Sequence, residues 1–350
     1  MKLLISYTDF VNILSELLRE EEQKIIYFSL IDGHLSNSLI NKNFENFTLL
    51  NIRTIEPTKL LFFPLKDNLV VKSELQQQIV VGIKWCDIQA IKVLDRMFLS
   101  DYVDEMYKTY REKTLIITAD CIKPQQTCFC SLVYGKPYVE QKDGISDLNI
   151  SFVDENNLIL ESYTSNGEKF LINYFQGFEE PTKTEELQRN SNREVAYKKI
   201  FVYNNEFLKE EDEKYYKTLK YTYELDKIWK EESEKCVQCG GCNFICPSCY
   251  CFLIREFSKS YNEQYRDKVW DVCHFTGYSR VAGGANPRKD KYQRFRNRYQ
   301  CKFVYRYENF GFYACTGCGR CIDVCPAKID IRKVIRNLVL AKGEEVIGKK

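Results

Sequence analysis

Histidine is scarce in this sequence: the 350 residues include two, His34 and His274. Two histidines leave little material for an acid–base network. The GxGxxG and P-loop patterns of nucleotide-binding loops are missing as well, and the short CTGCG and AGGA stretches are not sufficient for such a loop. The sequence therefore offers no recognisable catalytic apparatus of its own.

An excess of charge of one sign is also missing. Lys and Arg number 51 against 49 Asp and Glu, so no field of the whole chain attracts nucleic acid or anionic lipid. No stretch approaches the roughly 18 apolar residues of a transmembrane helix. The first residues, MKLLISYTDFVNILSELLRE, lack the basic region, apolar run and cleavage site of a signal peptide. We therefore expect a cytoplasmic protein with no membrane insertion and no nucleic-acid partner.

Cysteine, in contrast, is abundant. The chain has 16 cysteines, which lie in two regions, residues 86–130 and 236–325. Glutathione and thioredoxin keep cytoplasmic thiols reduced, which argues against a disulfide framework. Binding of a metal or of a metal cluster is the leading explanation.

Two copies of one short motif carry half of these cysteines. CVQCGGCNFICP begins at Cys236 and CTGCGRCIDVCP begins at Cys315. Both follow C-x2-C-x2-C-x3-C-P, in which three thiolates bind one [4Fe–4S] cluster and the fourth binds the neighbouring cluster. A structural zinc site, the alternative, needs neither the third cysteine nor the proline. We predict a first set of cluster ligands, Cys236, Cys239, Cys242 and Cys325. We predict a second set, Cys315, Cys318, Cys321 and Cys246.

The four earlier cysteines follow predicted strands. Cys86 comes just after the strand QIVVGIK, and Cys121 comes just after the strand LIITAD. The carboxyl ends of neighbouring parallel strands form the crevice in which ligands bind. We therefore predict a third [4Fe–4S] cluster, held by a third set of ligands: Cys86, Cys121, Cys128 and Cys130. The alternative is a group of ordinary buried or free thiols.

Two alternative roles apply to three of the remaining cysteines. Cys249, Cys251 and Cys273 either contribute ligands to the third cluster or pack around the two ferredoxin-type clusters. Cys301 is predicted to be a core residue. His274, beside Cys273, is either a ligand or a hydrogen-bonded structural residue, whereas His34 is predicted to lie in a turn.

Hydrophobic periodicity predicts an α/β domain before the motifs. Apolar residues from Phe10 to Leu18 follow the spacing of one helix face, after a cap at Thr8. QIVVGIK is followed by a helix that Asp87 is predicted to cap. Strands that alternate with helices in this way indicate a sheet covered on both faces.

A charged segment, residues 182–234, is interpreted as a surface connection followed by a charged helix, with a domain boundary near Tyr223. We therefore predict an α/β domain at residues 1–222. An α+β ferredoxin-like dicluster domain follows at residues 223–350. Near its end, an apolar stripe predicts a helix capped by Asp330.

The dicluster domain contains a long insert, residues 247–314, between its two motifs. Part of it, RVAGGANPRKDKYQRFRNRYQCKFVYR, has nine basic residues against one acidic residue. Arginines of this stretch are candidates to neutralise the clusters, to dock an acidic partner or to bind phosphate; a solvated basic surface is the alternative. They are Arg288, Arg294, Arg296 and Arg298. Nucleic-acid binding is disfavoured because the basic run is single and lies inside a cluster domain.

Five stretches together resemble one family. They are GIKWCDIQAIKVLDRMF, ADCIKPQQTCFCSLVYGKP, CVQCGGCNFICPSCYCF, WDVCHFTGYSRVAGGANPRKDKYQRFRNRY and CTGCGRCIDVCPAKIDI. In this order they are similar to the β subunit of soluble [NiFe] hydrogenases of the sulfhydrogenase type, and to the related iron–sulfur subunit of anaerobic sulfite reductase.

The resemblance implies a non-catalytic electron-transfer subunit of a hetero-oligomer. One partner would be a subunit that binds flavin (FAD) and NAD(P) and carries a [2Fe–2S] cluster. The other would be a catalytic subunit, either a [NiFe] hydrogenase or a sirohaem sulfite reductase. A free-standing iron–sulfur reductase and a nucleic-acid-binding iron sensor are the alternatives from other functional classes.

Overall fold

The computed structural model describes residues 1–17, 24–28, 35–37, 49, 53–69, 75–207, 214–260 and 263–348. The predicted turn at His34 and the predicted helix position Leu18 lie outside these residues. The described chain has mixed helix and sheet content, as predicted. None of its helices is both long and apolar enough to cross a membrane.

A seven-stranded mixed sheet organises the first half of the chain. Its order is β1-β8-β7-β6-β5-β2-β3. The strands are β1 (Lys2–Ser6), β2 (Lys24–Phe28), β3 (Leu35–Asn37), β5 (Gln78–Ile83), β6 (Thr114–Ala119), β7 (Leu148–Phe152) and β8 (Asn157–Ser162). The four central strands, β2, β5, β6 and β7, are parallel, and the outer strands pair antiparallel. β5 and β6 are therefore adjacent and parallel. Cys86 and Cys121, which follow these two strands, thus lie at the same edge of the sheet.

Helices cover both faces of this sheet. Alternate residues of β5 point to opposite sides and so contribute to both covered faces. Ile79 and Val81 join one buried apolar cluster, and Val80 joins another. The helices of this half are α1 (Tyr7–Leu17), α2 (Trp85–Phe98), α3 (Glu105–Glu112), α4 (Ser165–Tyr174) and α5 (Lys183–Asn204).

Two predicted helix caps are wrong in detail. α1 begins at Tyr7, and the Ser6 hydroxyl, rather than Thr8, accepts from the Asp9 backbone N–H at 3.0 Å. α2 begins at Trp85 after Lys84, so Asp87 lies inside the first turn. There its carboxylate is fully buried and pairs with Arg320, which is a tertiary contact that the local pattern does not show.

The predicted surface connection after residue 182 is a helix instead. α5 runs for 22 residues, and Thr182 and Glu185 form a capping box at its start. The T-x-x-E spacing of that box is present in the sequence and marks a helix start. The charged composition of the segment obscured this signal.

A second, three-stranded sheet joins distant parts of the chain. Its order is β4-β10-β9, with β4 (Lys66–Asn68), β9 (Phe252–Ser260) and β10 (Glu263–Trp270), all antiparallel. β4 belongs to the predicted α/β domain, whereas β9 and β10 belong to the insert. The boundary near Tyr223 stays a prediction, but this shared sheet shows that the two predicted domains pack as one structure at that edge.

A third apolar cluster lies under the cysteine motifs. It includes the predicted stripe Ile331, Val334, Ile335 and Leu338, all buried. Asp330 accepts from the Arg332 backbone N–H at 2.9 Å, which confirms the predicted cap. The helices of this half are α6 (Lys214–Tyr221), α7 (Asp226–Ser233), α8 (Gly241–Phe244), α9 (Lys291–Gln300), α10 (Arg306–Phe310), α11 (Arg320–Asp323) and α12 (Ile331–Gly348). A π-helical turn, Cys301–Tyr305, joins α9 to α10 without a break.

Candidate metal centres

The two motifs fold in the same way. Each bends at a glycine with a positive φ, Gly240 at 73° and Gly319 at 78°, and then forms a one-turn helix, α8 or α11. Glycine adopts this left-handed conformation without the steric cost of a side chain. The two short helices pack against each other, which brings together cysteines far apart in the sequence.

The first set of cysteines surrounds one cavity. Cys236, Cys239, Cys242 and Cys325 all line it, together with apolar side chains, Arg298 and His274. The motifs predict that Cys325 of the second motif joins three cysteines of the first motif. Cys325 lines the same cavity as those three. Cys321 of the second set also lines this cavity, so the first and second sets are neighbours.

The second set is buried more deeply. Burial raises the pKa of the Cys321 thiol to about 12, and the neighbouring thiols of Cys318 and Cys246 add to the rise. Burial also raises the pKa of Cys315, with further contributions from Cys321, Cys246 and Cys318. Four thiols that influence one another in this way are held together, and metal coordination is the interaction that would deprotonate them.

The arrangement fits clusters better than single ions. Within the described ranges, no three His, Cys, Asp or Glu side chains are placed to hold one metal ion. Around a zinc ion, thiolate sulfurs would lie roughly 3.8 Å apart, because the Zn–S distance is about 2.3 Å. The thiols of the first set instead stand around a cavity, which is what a [4Fe–4S] cube requires.

Arg298 gives an independent test of that fit. Its side chain is buried, its Nε has no hydrogen-bond partner, and no carboxylate of the described chain pairs with it. Its guanidinium interacts electrostatically with thiols of both sets, Cys242, Cys321 and Cys246. A buried cation without a counter-charge is strongly unfavourable. Anionic clusters in both sets would supply the missing negative charge.

The third set also shares one cavity. Cys86, Cys121, Cys128 and Cys130 line it, at the carboxyl ends of β5 and β6. Cys318 of the second set lines the same cavity. The second set therefore lies between the first and third cavities, with Cys321 facing one and Cys318 facing the other.

Cations line the third cavity too, namely Arg53, Lys84 and Lys136. The buried Lys84 Nζ donates to the carbonyl oxygens of Leu49 and Asp120, at 2.9 and 3.2 Å. Burial lowers the pKa of Lys84 to about 8, against the opposing effect of the Cys121 thiol. Arg53 Nε donates to the Cys318 carbonyl oxygen at 2.5 Å. The cavity is thus suited to an anionic group.

The second motif and the third cavity are in direct backbone contact. The Phe129 N–H donates to the Gly317 carbonyl oxygen at 2.8 Å. Gly317 has a φ of 64°, and a Cβ there would lie 2.5 Å from Cys130 backbone atoms. Only glycine permits this approach, so the motif and the loop that carries Cys128 and Cys130 form one unit.

Cys249, Cys251 and Cys273 lie elsewhere. None of them is among the lining residues of the third cavity. Cys249 hydrogen-bonds with Cys246 of the second set, and Cys251 hydrogen-bonds with Cys273. Cys301, predicted as a core residue, is half-buried at the start of the π-helical turn.

Three of the four candidate arginines of the insert are internal. Arg294, Arg296 and Arg298 are buried, so a solvated basic surface does not describe them. Arg294 Nε donates to the His274 carbonyl oxygen at 3.0 Å, and Arg296 pairs with Asp226 at 2.8 Å. Arg298 is the one that faces the cysteines.

His274 is buried, and its Nε2 has no hydrogen-bond partner among the described residues. Its side chain lines the first cavity. Burial, with the nearby Arg298 and Arg294, lowers its pKa to about 3, so the imidazole is neutral. A neutral N–H that faces the cavity is suited to donate to a cluster sulfur.

Several buried cations near the cysteines escaped the sequence analysis. They are Arg53, Lys59, Lys84, Lys302 and Arg320. Only Arg320 lies inside a motif. Lys302 lies in the basic stretch of the insert, and the others are separate basic residues. No local signal in the sequence marks any of them as buried.

Comparison with known proteins supports the same class. Residues 235–329 match the family model of the 4Fe-4S dicluster domain. The chain is therefore an iron–sulfur protein with two [4Fe–4S] clusters, as the paired motifs predict. The sulfhydrogenase 2 subunit beta of Pyrococcus furiosus is 32% identical over 313 residues, which cover 83% of this chain and 85% of that protein. The chain belongs to the family of sulfhydrogenase β subunits and is an iron–sulfur electron-transfer subunit, so the predicted family is confirmed.

Proposed function

We propose that this chain relays electrons inside a cytoplasmic hetero-oligomeric oxidoreductase. It would pass them between a partner subunit that binds flavin and NAD(P) and carries a [2Fe–2S] cluster, and a catalytic subunit of the [NiFe] hydrogenase type. The relative's name supports the family of the complex. The identity of the two partners is part of the proposal.

One observation carries the relay: the three sets of cysteines are arranged in a row. Cys321 of the second set lines the first cavity, and Cys318 of the same set lines the third. At one end of the row, Cys239 of the first set is exposed at the surface. The arrangement favours a path that enters or leaves at Cys239 and runs through the second set to the third.

The proposed ligands are the three sets as defined, with the third holding a third [4Fe–4S] cluster. When bound, such a cluster takes up or gives one electron, whose charge is spread over several metals and sulfides. The chain's own residues supply the thiolates, exclude water by burial and place cations such as Arg298 and Lys84 beside them. Charge and exposure of this kind set reduction potentials.

The experiment compares chains purified without oxygen. Iron and acid-labile sulfide are measured in the unsubstituted chain and in the double variant Cys121→Ala/Cys128→Ala. The double variant should lose about four of each per chain, the content of one cluster. Unchanged iron and sulfide would refute the third set, while leaving the first two in place.

The relay itself is tested in the assembled complex. Cys318→Ser should lower electron transfer from NAD(P)H to the catalytic subunit by at least about tenfold, because it removes a ligand from the central cluster. The chain alone should show no turnover with an artificial donor. Turnover by the isolated chain would instead support a free-standing reductase. Reduction of sulfite by a complex with a sirohaem protein would support the sulfite reductase alternative.

A further inference from the structure

We propose that Cys249, Cys251, Cys273 and Cys301 hold a fourth iron–sulfur cluster, beside the second. This goes beyond the proposed relay, which needs only the first three sets. These four residues, called here the fourth set, are the cysteines that the other three sets leave unassigned among the 16. They come from three separate segments: the loop after α8, the loop after β10 and the π-helical turn.

Contacts bring the fourth set together. Asn243 Nδ2 donates to Cys273 Sγ at 3.2 Å and lies 3.9 Å from Cys249 Sγ. Cys251 and Cys273 hydrogen-bond with each other, and Cys301 interacts electrostatically with Cys273. One amide nitrogen and one thiol therefore connect all four cysteines. The Asn243 amide is in the position of a donor to cluster sulfur.

Two buried lysines give the electrostatic reason for an anionic group here. Lys302 Nζ donates to Ser248 Oγ at 2.8 Å, and Lys59 Nζ donates to the Cys249 carbonyl oxygen at 2.8 Å. Both side chains are almost fully buried, and the described chain brings no carboxylate into ion-pair distance of either. Burying an ammonium ion is strongly unfavourable unless an opposite charge offsets it. Lys59 Nζ also lies 3.8 Å from the centre of the Trp270 ring. Thiols of the second and fourth sets, Cys246 and Cys249, act on both ammonium groups.

The backbone at Cys301 is unusual in the same place. The helix that begins at Lys291 widens into a π-helical turn over Cys301–Tyr305 and then continues as α10. Such turns are rare and occur often at functional sites. This one changes the direction of Cys301 and Lys302 relative to a regular helix, and Lys302 is directed at the cysteines.

A cluster accounts for these features better than the other uses of thiols. A single metal ion would need three or four ligands that meet at one point, and the described side chains form no such group. A disulfide between Cys251 and Cys273 would remove two thiolates, one of which, Cys251, acts on the Lys59 ammonium group. A four-thiolate iron–sulfur cluster is anionic and large enough to bridge thiols that do not all meet at one point.

The position of the fourth set defines its relation to the relay. Cys249 hydrogen-bonds with Cys246, a ligand proposed for the second cluster. The fourth cluster would therefore branch from the second, which is the centre of the row. It would add a further site for one electron next to that centre.

The test counts iron and acid-labile sulfide in the whole chain purified without oxygen. Cys251→Ala/Cys273→Ala should lose about four of each relative to the unsubstituted chain. Combined with Cys121→Ala/Cys128→Ala, the loss should be about eight. Unchanged iron and sulfide in the first double variant would overturn the proposal. Loss of about one zinc with no loss of sulfide would also overturn it, in favour of a single-metal site.

A milder variant guards against misfolding. Cys301→Ser keeps the size of a half-buried side chain, so circular dichroism should not change. Redox titration followed by EPR should then show one centre lost or shifted and the others unaltered. Spectra identical to those of the unsubstituted chain would refute the ligand role of Cys301. These outcomes are independent of the relay, because the Cys318→Ser experiment tests that separately.

Discussion

Arg320 and Asp87 form a two-pronged ion pair, in which Nη1 donates to Oδ1 at 3.0 Å and Nη2 donates to Oδ2 at 2.9 Å. Both side chains are 1% exposed. Arg320 lies between Cys318 and Cys321 of the second motif, and Asp87 follows Cys86 of the third set. The pair therefore ties the ferredoxin-type motif to the helix that starts at the third cavity.

We expect Arg320→Met to cost about 3–5 kcal/mol of stability, because it leaves the Asp87 carboxylate buried without a partner. The measurement is the midpoint of thermal unfolding of the chain purified without oxygen. The double variant Asp87→Leu/Arg320→Met should recover part of the loss, since it removes both charges.

Arg266 and Glu256 provide the matched control. They form an ion pair with both side chains more than half exposed, and exposed pairs contribute little. Arg266→Met should leave the unfolding midpoint almost unchanged. Equal midpoints for the Arg320→Met and Arg266→Met variants would contradict the structural role of the buried pair.

Features with a local signal were predictable from the sequence. The two motifs follow a fixed spacing, and the strands β5 and β6 are short apolar runs, so their cysteines could be placed at one sheet edge. The apolar stripe and cap of α12 have the same local character. The start of α5 was also predictable from Thr182 and Glu185, but its charged residues favoured a loop.

Features that depend on tertiary contacts were not predictable. Asp87 has the sequence position of a helix cap, and only its pairing with Arg320, more than 200 residues away, shows another role. Lys59 and Lys302 are ordinary lysines in the sequence. Their burial beside Cys249 and Cys246 follows from packing between distant segments. The hydrophobic periodicity of the sequence does not indicate such packing.

Gly317→Ala should disturb the third centre. A Cβ at this position would overlap the backbone of Cys130, and the φ of 64° is unfavourable for alanine. We expect a cost of about 2–5 kcal/mol from the left-handed conformation and the overlap together. Iron content should fall by part or all of one cluster, as measured by iron and sulfide analysis.

Gly311→Ala is a control that separates the cost of the left-handed conformation from the cost of the overlap. The φ of Gly311 is 77°, but a Cβ there would meet nothing within 4 Å. Gly311→Ala should cost only about 1–2 kcal/mol for the backbone conformation and should keep full iron content. If both variants lost the same stability and the same iron, close packing at Gly317 would not be the reason.

His274→Phe should lower the reduction potential of the first centre. The substitution fills the same space but removes the N–H that faces the first cavity, and loss of a donor to cluster sulfur disfavours the reduced state. We expect a decrease on the order of tens of mV in an EPR-monitored redox titration. His274→Gln, which keeps an N–H donor, should show a smaller change. An unaltered potential in His274→Phe would mean that the imidazole only fills space.

Arg298→Met should lower the potentials of both the first and the second centre, because the guanidinium faces Cys242 of one set and Cys321 of the other. A unit charge roughly 5 Å away contributes about 3 kcal/mol at an effective dielectric constant of 20. For one electron this corresponds to a shift on the order of 100 mV. Arg298→Lys, which keeps the charge, should shift both potentials less.

Arg298→Met should also change the thermal stability of the chain, and the sign of this change should reverse when the iron is removed. Without clusters, the unsubstituted chain buries the Arg298 guanidinium with no counter-charge, which is unfavourable. The chelated Arg298→Met chain should therefore unfold at a higher temperature than the chelated unsubstituted chain, although its loaded form loses a favourable charge interaction. Thermal unfolding of both proteins, before and after chelation, measures this reversal. A decrease of the unfolding temperature in both forms would show that Arg298 stabilises the fold by packing rather than by its charge.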